Sequence, residues 1–301
     1  MVFNAESRVE GPDFICVGMP KAGTGWLFDQ LQYHPDFWMP PVKEFDYLMR
    51  DVPRLKNVRN RLERSKQPHR TGKDGKSLKW ANRRPGDERD TNFLQEASAS
   101  IGQPMDIGRY IALFRFKGEL LSGDVSPTYV TLKDDVIAQV AQRLPRTKVL
   151  LLVRDPVARA SSQISMAYRR GKLDETLAQD PGALRAYLAK SKTTSESSFP
   201  TQLVARWKRN APEIGFRVFL FDEIERDADR ARRDILSFLG ADPEKKSGAF
   251  AANHNRKSDA KKLQLADGAK AVLVEHFADE IRACAAMFGG PARDWVSRYG
   301  L

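Results

Sequence analysis

Residues Asp13–Leu31 read DFICVGMPKAGTGWLFDQL, and the interpretation of this stretch decides that of the rest. A short apolar run, Phe14 to Val17, enters a loop of small residues, and an amphipathic segment leaves it. That pattern predicts a strand, a tight turn and a helix. Glycines let backbone approach a ligand closely, and the first turn of a helix presents unpaired N–H groups with partial positive charge. Lys21 adds a full charge inside the loop. The stretch therefore reads as a cradle for an oxyanion, with a strand–helix turn that only packs as the plainer alternative. A Walker A loop needs a lysine after its last glycine, then a hydroxyl for Mg²⁺. Here Thr24-Gly25-Trp26 follow Gly23 and the lysine lies earlier, so the Mg²⁺ clamp of an ATPase is not expected.

Composition narrows the class. A chain of 301 residues, 41% hydrophobic and 9% aromatic, can bury a substantial core. The apolar run Val149 to Val153 is far too short to span a bilayer. The opening MVFNAESRVEGPD lacks the charged-then-apolar layout of a secretory signal. Two cysteines, Cys16 and Cys284, give neither a disulfide framework nor metal-ligand spacing, and Cys16 in the first strand reads as a buried, inert thiol. A cytoplasmic protein is expected. The net charge of +11 is concentrated: residues 51–90 hold thirteen Lys/Arg against six Asp/Glu. This stretch reads as a basic surface excursion, either solvated or facing an acidic partner.

Taken in order, the first helix should end near His34-Pro35, because proline disfavours helical geometry before it. Helices are expected over Met105–Phe116, Asp134–Leu144, Pro156–Arg170, Thr201–Asn210, Ala228–Leu239 and Leu265–Phe288, with at least one within Glu175–Lys192. Strands are expected at Leu120–Asp124, Val149–Val153 and Arg217–Phe221. Strands alternating with helices argue for an α/β fold: a central parallel sheet flanked by helices, of the nucleotide-binding kind. No repeat or linker is visible, so one domain over 1–301 with a surface insertion at about 51–105 is the simpler organisation.

A second anchor is LLLVRDPVARASSQI, residues Leu150–Ile164. Its strand ends at Val153, Asp155 can cap the following helix and Pro156 suits the first position. Arg154 then stands at the carboxyl edge of the sheet, where ligands of open α/β sheets collect, and can grip an oxyanion. Ser162, two turns along the helix, could add a hydroxyl.

Together PKAGTGWL and RDPVARASS resemble the two signature regions of sulfotransferases that use 3′-phosphoadenosine 5′-phosphosulfate (PAPS). The resemblance covers most of the chain outside 51–105 and implies a P-loop-like sulfotransferase fold. It implies that Lys21, Ala22, Gly23, Thr24, Gly25 and Trp26 hold the 5′-phosphosulfate, and that Arg154 and Ser162 hold the 3′-phosphate. The product would be 3′,5′-adenosine bisphosphate, with no metal required. A basic loop that closes over the nucleotide in the family is matched loosely by Arg256 and Lys257.

Two further segments resemble the heparan-sulfate, or glycan, branch of that family, in a soluble, bacterial-like form. Lys43-Glu44 before an aromatic is similar to its K-E-x-x-[FY]-[FY] segment, whose glutamate is the catalytic base. Gly123-Asp-Val-Ser-Pro-Thr-Tyr129 is similar to its G-E-K-S-P-x-Y segment. Val125 stands where a lysine is often found, which leaves a lysine contact from this segment without its residue. The resemblance implies transfer of a sulfuryl group to a hydroxyl of a saccharide or glycolipid, with Lys21 and Glu44 catalytic. Asp124 is the second candidate for the base, and Lys43, Asp124 and Ser126 are candidate substrate contacts. Two rival readings make different predictions. A P-loop nucleotide kinase or NTPase would bind ATP with Mg²⁺. A nucleic-acid-binding protein would show steep salt dependence, but residues 51–90 contain one aromatic for base stacking, Trp80, and no nucleic-acid partner is expected.

Overall fold

The computed structural model describes residues 10–65, 86–245 and 263–301. Four strands, β1 (Phe14–Cys16), β2 (Gly123–Val125), β3 (Lys148–Val153) and β4 (Phe216–Leu220), form one sheet in the order β2-β1-β3-β4, every pair parallel. The expected α/β architecture is therefore the observed one. Residues Val149–Val153 are all 0% exposed, which explains their uninterrupted apolar sequence: helices cover both faces of the sheet. Phe14 pairs with Gly123, and a Cβ on that glycine would lie 2.3 Å from the Phe14 ring. Glycine is required there so that the ring can cross β2.

The topology creates a crevice. From β1 the chain travels to β2 on one side, and from β2 it crosses back to β3 on the other. Loops leaving β1 and β3 thus diverge, and such a switch point is where parallel α/β sheets receive ligands. The loop after β1 first keeps to β3: Val17 N donates to Leu150 O (3.0 Å), Met19 N to Leu152 O (2.7 Å), and Leu152 N to Gly18 O (2.9 Å). This pairing carries residues 19–23 to the end of β3.

Helix α1 (Thr24–Gln32) leaves that loop and stops before His34, as the His-Pro pair predicts. His34, just beyond the helix, is buried. Its Nδ1 accepts from Asp36 N (3.2 Å), so Nε2 carries the proton and donates to Asp242 O (3.1 Å). The largest departure from expectation is in the basic stretch. Helix α2 (Lys56–Ser65) buries Val58, with Leu55 buried just before it, and helix α3 (Glu88–Ala99) buries Phe93, Leu94 and Ala97. Trp38 Nε1 donates to Asp90 of α3 at 3.0 Å. The described flanks of the supposed surface insertion are thus part of the core. Their few apolar residues are diluted by charge, so composition hides them. Trp80 and the rest of 66–85 lie outside the described residues.

Helices α4 (Ile107–Leu113), α5 (Asp134–Arg143) and α6 (Pro156–Arg169) follow close to their expected positions. Asp155 caps α6 by accepting from Val157 N (2.9 Å) and Ala158 N (3.3 Å). The expected long helix spans Asp267–Phe288, but the chain then turns at Gly289-Gly290 into a further helix, Pro291–Tyr299. The pair of glycines followed by proline was its signal. Among the described residues no helix is long and apolar enough to cross a membrane.

Candidate active site

The crevice between β1 and β3 is lined by cations. Lys21 sits in the left-handed region (φ 73°) and Gly23 follows at φ 95°, where a residue without Cβ is favoured. Gly23 caps α1 without a side chain, and the first helical bond is Leu27 N to Gly23 O (3.0 Å). The amides of Thr24, Gly25 and Trp26 therefore have no intrahelical acceptor and carry the positive end of the helix dipole. A Cβ on Gly25 would meet nothing within 4 Å, so the approach to this turn is open. Ala22, Thr24 and Trp26 are buried, which leaves their backbone rather than their side chains for contact.

Arg154 reaches the same turn. Its Nη1 donates to Lys21 O at 3.2 Å, and its guanidinium lies 4.8 Å from the centre of the Phe221 ring. Lys21 Nζ meets Met166 Sδ of α6 at 3.8 Å. Ser162, half-buried, lies one turn before Met166 on the same helical face. The Lys21 ammonium titrates at about 8, lowered first by burial and then by Arg169, Arg154, Arg170 and Lys43. Positive charge is crowded here, and an anion entering the crevice would relieve that crowding.

A second cluster adjoins it. The Lys43–Glu44 turn is bound to the sheet by Glu44 N, which donates to Val125 O at 3.0 Å. Lys43 Nζ and Glu44 Oε1 are 3.0 Å apart, with Glu44 exposed. Below them Asp124, 2% exposed, accepts from Ser126 Oγ (2.6 Å), Tyr129 OH (2.7 Å) and Tyr110 OH (3.1 Å). Burial pushes the Asp124 carboxyl up to about 6, against those three hydrogen bonds. Two of the hydroxyls work in both directions: Ser126 Oγ accepts from Asp46 N (2.9 Å), and Tyr129 OH accepts from Leu48 N (3.2 Å). Asp124 thus pins the chain immediately after Glu44.

These positions separate the sequence candidates. Lys21, Gly23, Thr24, Gly25, Trp26, Arg154 and Ser162 gather at the crevice, and Glu44 and Lys43 stand at its β2 side. Asp124 and Ser126 face inward, closed to solvent and committed to protein partners, and this geometry gives them neither a base's nor a substrate contact's position. Arg256 and Lys257 lie outside the described residues. Three features escaped the sequence reading. Asn57 of α2 donates through Nδ2 to Glu44 O (2.8 Å) and Lys43 O (3.4 Å). Tyr110 completes the Asp124 cluster. Arg298 Nη1 and Tyr299 OH from the last helix donate to Asp155 Oδ2 (3.0 and 2.6 Å), beside Arg154. No local motif marks any of them, because each contact joins distant parts of the chain. Among the described residues no three His, Cys, Asp or Glu side chains cluster as metal ligands.

A search of solved structures finds a sulfotransferase from Alicyclobacillus acidocaldarius at 22% identity, covering 94% of this chain and 98% of that one, with a TM-score of 0.61. It also finds the sulfotransferase domain of the Synechococcus PCC 7002 olefin synthase at 15% identity, 100% and 99% coverage and a TM-score of 0.49. The first of these supports the fold. A search of the curated proteins finds no match. The model of the sulfotransferase family matches residues 12–245, which include both the turn around Lys21 and the strand end at Arg154. The chain belongs to the sulfotransferase family.

Proposed function

We propose that this protein transfers a sulfuryl group from PAPS to a hydroxyl of a saccharide or glycolipid, leaving 3′,5′-adenosine bisphosphate. The observation that carries this reading is the hydrogen bond from Arg154 to the backbone of Lys21. It joins two anion grips, far apart in sequence, at the switch point of one sheet, as a carrier with a phosphate at each end requires. The residues fit such a donor: a helix start with no side-chain cap, an open approach at Gly25, and a Lys21 ammonium whose pKa is lowered first by burial and then by the neighbouring cations.

Bound, PAPS would supply an activated sulfuryl group attached to a phosphate that can leave. The amides of Thr24, Gly25 and Trp26 hold the 5′-phosphate oxygens, and Arg154 with Ser162 holds the 3′-phosphate. Lys21 Nζ keeps positive charge where negative charge accumulates on the departing oxygen, so fixed electrostatics and positioning supply most of the rate. Glu44 takes the proton of the acceptor hydroxyl. Its exposure on a turn fixed from below suits a base that must meet a solvent-borne acceptor. Asp124 acts as a positioning residue through Ser126 and Tyr129. The Lys43–Glu44 turn and the GDVSPTY segment support the glycan branch, although Val125, 2% exposed, brings no cation to the site.

Thermal unfolding tests the reading directly. At a hundredfold excess over its dissociation constant, 3′,5′-adenosine bisphosphate should stabilise the protein by about 2.7 kcal/mol, a rise of roughly 5 °C. ATP with Mg²⁺ should give little shift. The reverse pattern favours a nucleotide kinase and overturns the proposal.

A further inference from the structure

At the start of α2, outside the donor crevice, lies an open groove of about 460 Å³ lined by Val52, Pro53, Arg54, Lys56, Arg59 and Ile101, among others. Its volume is within the range of small-molecule sites, roughly 300–1,000 Å³. Two contacts hold its walls together: Gly102 N donates to Pro53 O (3.4 Å) and Met105 N to Asp51 O (2.6 Å). The lining has two characters. Val52, Pro53 and Ile101 form an apolar floor, and Val52 is 45% exposed, one of two large apolar side chains so exposed among the described residues. Arg54, Lys56 and Arg59 form a cationic rim, all exposed. Among the described residues none of these three has a carboxylate partner, although ion pairs are common elsewhere on the surface.

Helix α2 connects the groove to the chemistry. Lys56, Arg59 and Asn60 line it, and Asn57 of the same turn holds the carbonyls of Lys43 and Glu44. A ligand seated here is about one helical turn from the residue that fixes Glu44.

We infer that this groove is the acceptor subsite and that the acceptor is an anionic, hydroxyl-bearing compound with an apolar portion. Its anionic group lies against Arg54, Lys56 and Arg59, its apolar portion covers Val52, Pro53 and Ile101, and a hydroxyl extends past Asn57 to Glu44. The inference rests on the proposed sulfuryl transfer and narrows its acceptor from saccharides in general to acidic, partly apolar ones. A neutral sugar would leave the rim uncompensated, and a purely ionic glycan would leave the floor wet.

A matched pair of probes tests it: para-nitrophenyl β-D-glucuronide and para-nitrophenyl β-D-glucoside, alike except for the carboxylate. Calorimetric titration, with and without 3′,5′-adenosine bisphosphate, should show the glucuronide binding about tenfold more tightly. The combined variant Arg54→Gln, Lys56→Gln, Arg59→Gln should lose that preference while keeping its stabilisation by the bisphosphate, which also shows that it is folded. A charge-matched control, Lys190→Gln, Lys208→Gln, Arg233→Gln, should keep both. Equal binding of the two glycosides, no binding of either, a preference that survives the groove variant, or equal loss in both variants would overturn the inference. Absence of bisphosphate stabilisation in the unmodified protein contradicts the donor reading instead, so the two failures are distinguishable.

Discussion

Two polar clusters sit at the carboxyl edge of the same sheet, and they are built on opposite rules. Around Asp124, every partner is internal: one buried carboxylate takes three hydroxyls, and two of those hydroxyls pass the bonding on to backbone amides. Around Lys21, cations face cations, and the helix start beside them has no side-chain cap. Buried polar groups normally find partners within the fold, and those that do are scaffold. A site that accumulates like charge stores a cost that a ligand of opposite sign removes. The contrast separates a cluster whose polar groups are satisfied within the fold from one whose charge is left uncompensated. Glu44 sits on the turn that the first cluster holds, its backbone N–H bound to Val125 O and its carboxylate paired with Lys43.

This contrast can be broken by substitution. The largest effect is expected at Glu44→Gln: turnover should fall about 10²–10⁴-fold, as for loss of a general base, with bisphosphate affinity nearly unchanged. Sulfuryl transfer measured with labelled donor checks this, and retained turnover removes Glu44 from the role. Next, Asp124→Ala strands three buried hydroxyls and should cost about 3 kcal/mol of stability in denaturant unfolding. If Asp124 is scaffold, the protein that remains folded still binds bisphosphate; a base or ligand contact would lose function without that loss of stability. Tyr299→Phe removes one of the two donors to Asp155 Oδ2 and should cost about 1 kcal/mol in the same assay.

The smallest effect is a sign. Lys21 titrates at about 8 in the folded protein against 10.5 ordinarily, so its charge opposes folding. That penalty is full below pH 8 and fades as pH rises toward 10.5, because the unfolded chain then holds the extra proton. Lys21→Met should therefore melt about 1–2 °C higher than the unmodified protein at pH 7 without ligand, converging with it at high pH. Calorimetric scans across pH settle the sign. A lower melting temperature at pH 7 would mean that the buried Lys21 charge does not oppose folding.

The pattern of what was legible follows the same physics. Strands β1 and β3, the turn between Gly18 and Thr24 and the Asp155-Pro156 cap are local, each written in a few adjacent residues, and they emerged where expected. Helices α2 and α3 were not legible because Val58, Phe93 and Leu94 are scattered among charges, and only tertiary packing reveals that they are core. Asp124 was legible as important but not as closed. Its spacing beside Ser126 is the same whether it faces a ligand or two tyrosines, and Tyr110 is remote in sequence. Asn57 and Tyr299 carry no local signature at all.

The central claim is that Lys21 and Arg154 hold opposite ends of one nucleotide, and affinity for 3′,5′-adenosine bisphosphate against adenosine 5′-monophosphate, with and without Arg154→Ala, tests it most directly. The unmodified protein should prefer the bisphosphate by about a hundredfold, a charge-assisted contact to the 3′-phosphate being worth roughly 2–3 kcal/mol. Arg154→Ala should bind the two nucleotides about equally, with its affinity for the monophosphate little changed. If Arg154→Ala weakens both ligands to the same degree and the preference persists, Arg154 does not meet the 3′ end, and the account is contradicted.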